Sequence, residues 1–579
     1  MRAKRNNRHS NLNNFKKIMN TIPPLGMKRI APTCLAILTL IGLEVQAAPP
    51  VPPTPLPGSA DAGVQLDQAR EAMERERVAE QIKENETTRQ EKVEGLPENA
   101  PQSANIELQF DLKKVETDQS KVLTQAEIDG VTAPYIGKSV TVKDLYKIVE
   151  DINNIYKKKE YMTCRAFLPP QTIHEGVVKI NLVEGRTGNV TVEGNKSTST
   201  GYITSWFPLK EGEIANTGKL NRALQRFNGT NDVVLRIKMQ AGKEKGTTDY
   251  ALYAFEPKRH NYTLYSDNNG YESSGRFRYG FFYNWRSVSG RRDNLRLSYM
   301  HSSGSNSYSL GYTCPLGNSG LKLDLDYTGN KNKVVGGDLP PLGIEGNATA
   351  YSVGLRYPLV VTNSKRCELG LSYLSQKSKT TFGNGQSTWI DDKLTRYNLY
   401  VAFTNYGKQS VFYHRYGLLR SNKSDMYGGS ENVNLYQINM YWRKGLAKDH
   451  AFVTRFNSQW GGKSYMSTAN RFYIGGMNTV RGYEESFISG DRGYSLGLEY
   501  HMPLNTEKTL NGFAFLDYGW VTGGYAISGA NTLMSTGIGV TWENNGYNAS
   551  LLLGLPLKKD VGGKDVSSLR LQFRISKTF

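Results

Sequence analysis

Residues 275–286 read GRFRYGFFYNWR, and their parity decides the fold. The odd positions Phe277, Tyr279, Phe281, Tyr283 and Trp285 are all aromatic, whereas Arg276, Arg278, Gly280, Asn284 and Arg286 make the even ones mostly polar. Successive side chains of a strand point to opposite faces, so this strand has an aromatic face and a wet one. The chain ends the same way: LRLQFRISKTF sets Leu569, Leu571, Phe573, Ile575 and Phe579 against Arg570, Gln572, Arg574 and Ser576. Alternating strands with Gly, Asn, Asp and Ser turns fill the whole stretch from His260 to Phe579. A soluble sandwich also alternates, but it buries Val, Ile and Leu on shorter strands. Aromatics at strand ends, strands of about ten residues and a polar opposite face indicate a transmembrane β-barrel. Sixteen candidate antiparallel strands leave about 20 residues for each strand and its connection, which fits. Closure is required physically, because an open edge in lipid would leave backbone N–H and C=O groups unpaired.

The 579-residue chain carries a formal net charge of +19, with 35 Tyr, 58 Gly and 7 Trp. Its mean hydropathy of −0.52 excludes an ordinary helical membrane protein. The one long apolar run, Ile30 to Leu43, follows Lys28-Arg29, contains Pro32 and precedes Val45-Gln46-Ala47. That is a signal peptide over 1–47, starting at Met1 or Met27, with the mature chain beginning near Ala48. Its removal takes away eight Lys/Arg and one Glu and leaves about +12. Export argues against a nucleic-acid partner; a polar lumen or anionic lipid accounts better for the remaining charge. Cys164, Cys314 and Cys367 then remain, an odd number without CxxC spacing, so neither a disulfide framework nor a zinc site is expected.

Residues 48–60 form a Pro-rich leader, and 61–86 read as a helix rich in charge with only Leu66, Ala69, Met73 and Ile82 as an apolar stripe. Such a helix is either free-standing and solvated or seated in a water-filled pore. Residues 87–105 are poor in apolar side chains and read as a linker. Two compact α/β units follow, 106–185 and 186–258. The first has a capping box at Thr124 and Glu127, a helix over 142–159 with Leu145, Ile148, Val149, Ile152 and Ile155 inward, and a strand alternating Val178, Ile180 and Leu182. The second repeats the order of strand, two helices and two strands, which makes a tandem repeat. The barrel domain occupies 259–579.

No catalytic constellation emerges. Gly493-Tyr494-Ser495-Leu496-Gly497 fits the GxSxG spacing but lies in an alternating strand with no helix after it. Gly461-Gly462-Lys463-Ser464 lacks the first P-loop glycine, since 457 is Asn. The histidines have no ligand spacing, so no metal, cofactor or enzymatic activity is expected. The loop over 462–490 is different, because it offers Val480-Arg481-Gly482-Tyr483 beside two strands whose parity points carboxylates inward. Ser495, Gly497, Glu499 and His501 face the lumen on one; Phe513, Phe515, Asp517 and Gly519 face it on the next. The Arg481 fork could meet Asp517 in a bidentate contact that tethers the loop to the wall. Equally, Arg481 could be solvated and Asp517 could face another lumen arginine.

FYIGGMNTVRGYEE, SGDRGYSLGLEYHMPL, FLDYG, the tandem α/β units and the terminal Phe579 together resemble the outer-membrane transporters of two-partner secretion, of the haemolysin-secretion and haemagglutinin-exporter type. DNNGYESSGRFRYG is similar to the first hairpin of those barrels. LVEGR (Leu182 to Arg186) is similar to the junction of their two polypeptide-transport-associated (POTRA) domains. The resemblance implies a Gram-negative outer-membrane protein whose POTRA domains face the periplasm and capture a large unfolded exoprotein. That client would carry an N-terminal secretion domain and be a haemolysin, an adhesin or a contact-dependent toxin. The resemblance also implies that helix 61–86 is a pore plug and that Arg481 is held against Asp517. Phe579 would be the barrel's C-terminal signal for insertion into lipid by the barrel assembly machinery. Translocation would need no nucleotide. An outer-membrane protein insertase of the same superfamily is the alternative, and a passive porin a more distant one.

Overall fold

The computed structural model describes residues 57–88, 93–95, 108–337, 339–526, 530–564 and 566–579. The expected signal peptide and most of the Pro-rich leader lie outside the described residues. Sixteen antiparallel strands, from His260–Asp267 to Arg570–Thr578, close into one barrel. The first and last strands pair in register from Asp267 with Arg574 to Thr263 with Thr578. Phe579 extends that seam, its N–H donating to Tyr262 O at 2.9 Å. Parity holds around the wall: Tyr279, Tyr299, Leu371, Leu399, Leu516 and Ile538 point outward and are exposed, while Asp517, Glu499 and Gln572 are buried inside. The strands are not uniformly about ten residues long. Glu345–Val361, Lys365–Phe382 and Ser387–Tyr406 reach 17, 18 and 20 residues. Their pairing runs on into polar sequence at one end, where ladder hydrogen bonds need no apolar band.

The first α/β unit comprises β1 (Gln109–Leu112), β2 (Lys114–Thr117), α2 (Gln125–Thr132), β3 (Lys138–Thr141), α3 (Val142–Lys158), β4 (Cys164–Phe167) and β5 (Val177–Glu184), with α1 (Ala62–Thr88) preceding it. Its sheet order is β2-β5-β4, with β1 and β3 as a separate pair. Thr124 and Glu127 form the expected capping box, and Leu145, Ile148, Val149 and Ile152 of α3 enter the core. The second unit comprises β6 (Arg186–Glu193), α4 (Thr200–Thr204), α5 (Thr217–Asn228), β7 (Val234–Ala241) and β8 (Thr247–Phe255), ordered β6-β8-β7. In both units an early strand runs parallel to the last one and its hairpin partner runs antiparallel. The repeat is therefore structural. Glu184 of the LVEGR junction accepts from Lys121 N–H at 2.9 Å and from the Tyr156 hydroxyl at 3.0 Å, and also from Ser120.

The second unit docks on one mouth of the barrel. Arg292 grips Asp232 through Nε at 2.7 Å and Nη2 at 2.5 Å. Arg226 donates to the carbonyls of Ser319 and Pro358 at 2.8 and 2.9 Å. One expectation needs correction: residues 87–105 are not all linker. Helix α1 runs to Thr88, and Val93–Gly95 packs on the second unit, with Glu94 bridged to Lys238 of β7. A single valine among charges leaves no periodic signal, so sequence pattern could not reveal it.

Candidate functional site

Two elements fill the barrel: helix α1 and the loop over 462–491. Helix α1 enters at the far mouth, where Asp61 caps it by accepting from Gly63 N–H at 2.8 Å. The other Asp61 oxygen accepts from the Thr468 hydroxyl at 2.6 Å, which joins helix to loop. Ala62 and Leu66 pack on Ala348, Ala350 and Leu374 of the wall. Arg396 donates to Asp67 at 2.8 Å, and Gln68 donates to Ser486 of the loop at 2.5 Å. Toward the mouth that bears the α/β units the contacts thin out. Arg574 meets Glu76 at 2.7 Å and Arg286 meets Glu80 at 2.8 Å, with the Glu76 and Glu80 side chains 49% and 56% exposed. A small cavity of about 20 Å³ remains between Glu74, Arg77 and Ile82 of the helix and Glu368, Tyr400 and Tyr413 of the wall. Of the two readings of a helix this charged, the pore-seated one describes the structure.

The loop folds back into the lumen around a short hairpin, Phe472–Ile474 paired with Ile488–Gly490. Arg481 lies against the wall and is 3% exposed. Its Nε and Nη2 donate to the two Asp517 oxygens at 2.7 Å each, its own N–H donates to Asp517 at 3.0 Å, and Nη1 reaches Glu499 at 2.5 Å. The guanidinium lies 3.9 Å over the Phe515 ring. Fork geometry explains the residue choice: only arginine can satisfy Asp517 bidentately and still reach a second carboxylate. Val480, fully buried, joins Ile474, Phe487, Val521 and Leu533 in an apolar cluster. Gly482 (φ 86°) crosses the wall at Gly554, where an added Cβ would lie 2.7 Å from the Gly482 Cα. Tyr483 donates across the fork between Lys558 O at 2.7 Å and Met534 O at 2.9 Å.

Every residue singled out for the loop and its wall, Val480 through Tyr483 with Phe515, Asp517 and Glu499, thus meets at one place. Phe579 lies apart, at the barrel seam. Sequence reading missed the second cation on Glu499, Arg455, which a strand-by-strand parity table would place beside it. It also gave no role to His501, whose Nε2 lies 2.7 Å from Glu499. Thr468 and Ser486, which bind the helix, carry no signal that a sequence could show.

Comparison with known proteins accords with this architecture. The profile of the haemolysin secretion/activation proteins ShlB/FhaC/HecB matches residues 246–542, and that of the ShlB-type POTRA domain matches 110–185. The chain is similar to the heme/hemopexin transporter protein HuxB of Haemophilus influenzae, with 24% identity over 81% of this chain and 87% of that one. It is also similar to the outer membrane transporter CdiB of Dickeya dadantii, with 22% identity over 79% and 85%. The solved structure of CdiB from Escherichia coli superposes with a TM-score of 0.67, 18% identity and coverage of 90% of this chain and 99% of that one. The structure of CdiB from Acinetobacter baumannii gives 0.64 with the same identity and coverage. A family profile over more than half the chain, two POTRA-like units and a closed sixteen-stranded barrel lead to one conclusion: this chain belongs to the haemolysin secretion/activation (ShlB/FhaC/HecB) family and is an outer-membrane two-partner secretion transporter of a secreted exoprotein, with its POTRA domains in the periplasm.

Proposed function

We propose that the exoprotein is captured unfolded by the POTRA pair and threads the barrel in extended form after helix α1 leaves the lumen. The observation that carries this reading is how the helix is held: beyond its buried first turn it meets wall and loop through polar contacts, from Asp67 and Gln68 to Glu76 and Glu80. Such contacts exchange with water or with a passing chain at little net cost. The periplasm supplies no nucleotide, and folding outside the cell removes the client from the unfolded pool and draws transport forward. The protein acts as a transporter and not as an enzyme. Its client is a large protein of haemolysin, adhesin or contact-dependent toxin type with an N-terminal secretion domain. Arg481 on Asp517 holds the loop in the position that transport requires. The outward aromatic and aliphatic residues contact outer-membrane lipid, and the seam strand ending in Phe579 is what the barrel assembly machinery reads.

Quantitative mass spectrometry of medium and outer membrane, with and without the gene, tests this. Loss of one very large exoprotein with other barrels unchanged supports dedicated export. Depletion of many outer-membrane barrels would make the chain an insertase instead, and no change under conditions that express a client would leave a porin.

A further inference from the structure

Three barrel strands, Glu345–Val361, Lys365–Phe382 and Ser387–Tyr406, outlast the apolar band at the mouth away from the POTRA domains. Their outward side chains change in order toward that mouth. Leu355, Leu371 and Leu399 lie lowest and are exposed. Tyrosines follow on the same face. The rings of Tyr308, Tyr327 and Tyr351 stand 6.0 and 5.0 Å apart in sequence, and those of Tyr373 and Tyr397 are 5.3 Å apart. Such a row marks the boundary between hydrocarbon and headgroups. Four positions beyond Tyr327, Tyr373 and Tyr397 along their own strands come Lys331, Lys377 and Lys393, with Lys379 two further on, all exposed. Four residues advance about 13 Å along a tilted strand, which sets these cations in the headgroup layer.

The register gathers the four lysines into one patch. Lys377 stands directly opposite Lys393. Lys331 and Lys379 flank Asn347 from either side, and Lys377 pairs with Thr349 beside it. Like charges opposite each other destabilise a sheet. Among the described residues none of the four has an ion-pair partner, whereas Lys333 is held by Glu345 at 3.0 Å and the lumen residue Lys423 by Asp392 at 2.8 Å. Asp391, opposite Lys379, offsets only one of the four charges. The lumen neutralises this cation within the wall; the outer patch leaves its own for an anion from outside.

We propose that Lys331, Lys377, Lys379 and Lys393, with Asn347 and Thr349 between them, bind the phosphates of a phosphorylated glycolipid in the outer leaflet. Lysine suits a phosphate as a compact cation with three donors. Asn347 and Thr349 supply an amide and a hydroxyl for sugar hydroxyls, and the tyrosines below seat the boundary between sugar and acyl chain. Lys331 and Lys393 are three strand spacings, about 14 Å, apart, so a lipid with two phosphates fits the patch better than a phospholipid with one. The site does not rest on the export reading. Ala348, between Asn347 and Thr349, faces the other way and packs with Ala62 and Leu66 of α1. Lipid and helix therefore hold opposite faces of the same strands.

The test uses the full-length protein extracted from outer membranes in mild detergent. Native mass spectrometry should show wild type carrying the glycolipid, and Lys377→Gln with Lys393→Gln retaining it at under about a tenth of that occupancy. Arg443→Gln with Lys444→Gln removes the same charge from exposed residues at the other mouth and should retain the lipid fully. Equal retention by wild type and the first variant, or equal loss from both variants, would overturn the site. After delipidation, titrated bisphosphorylated glycolipid should bind the first variant about thirtyfold more weakly than wild type. Wild type should bind the dephosphorylated glycolipid and phosphatidylglycerol at least about tenfold less tightly than the bisphosphorylated form. Phosphatidylglycerol or inorganic phosphate binding as tightly as the glycolipid would overturn the assignment, as would wild type that neither carries nor binds it. Heat-modifiable migration confirms that each barrel compared is folded, and the substituted side chains point away from the lumen.

Discussion

The lumen is filled twice, by the loop around Arg481 and by helix α1, and the two are built on opposite principles. The loop has its own apolar cluster, a bidentate buried ion pair and a tyrosine shared between two carbonyls. The helix buries its first turn, with Ala62, Val64, Gln65 and Leu66, and beyond it is held by polar contacts such as Asp67 with Arg396 and Glu76 with Arg574. Water can replace the second kind of contact but not the first. A buried guanidinium that leaves Asp517 strands both of those charges, even though Glu499 keeps Arg455 and His501, whereas a half-exposed pair such as Arg574 with Glu76 releases groups that hydrate at once. The proposed exit of the helix, with the loop staying in place, rests on this contrast.

Arg481→Ala should break this comparison most severely. Asp517 and Glu499, 0% and 3% exposed, would lose the guanidinium, at a cost of about 3–5 kcal/mol. We expect the barrel to assemble, seen as normal heat-modifiable migration, while secretion falls by an order of magnitude. Wild-type secretion would refute the anchor role. Arg481→Lys should recover only part of the loss, because an ammonium cannot serve Asp517 bidentately. Asp61→Ala acts on the removable filler. It deletes the helix cap and the bond to Thr468, about 1–2 kcal/mol, and should raise the open fraction in planar-bilayer recordings about tenfold with secretion retained. Glu76→Gln combined with Glu80→Gln removes two exposed pairs worth up to about 1 kcal/mol each, so openings should rise less than with Asp61→Ala. A larger rise would reverse the ranking of the helix's two ends.

The smallest effect concerns pH at the POTRA junction. Burial alone would raise the Glu184 carboxyl, but hydrogen bonds from Ser120, Lys121 N–H, Tyr156 and Val122 N–H outweigh it and hold it below the usual range. A carboxylate with a depressed folded value stabilises above its unfolded pKa, about 4.3, and that support fades as pH falls through the folded value. Amide exchange at Lys121 and Val122 should therefore quicken, relative to the rest of the domain, as pH is lowered below about 4. Unchanged protection would show that the loop is held without Glu184's charge.

Much of this was legible beforehand for identifiable reasons. A barrel strand has a period of two, so Phe277 to Trp285 announce a lipid face, and the same parity put Glu499 and Asp517 on the inner wall. Whether Arg481 met them was undecidable from spacing, because a thirty-residue loop can turn anywhere. Partners hundreds of residues apart, such as Asp61 with Thr468, leave no local trace. Nor does Val93, whose burial depends on where β7 ends rather than on its own neighbours. The capping box at Thr124 and the inward face of α3 were legible because each is complete within one turn or one helix.

The wall across from the Arg481 loop has a consequence for anything moving past it. Arg356 is paired with Asp324, Arg366 with Glu368 and Lys423 with Asp392, so these lumen charges already have partners. At these three places a passing polypeptide meets charges that are already satisfied by the wall. Such a surface is slippery: it wets an extended chain without gripping it, so hundreds of different residues in succession can travel the same track with low friction.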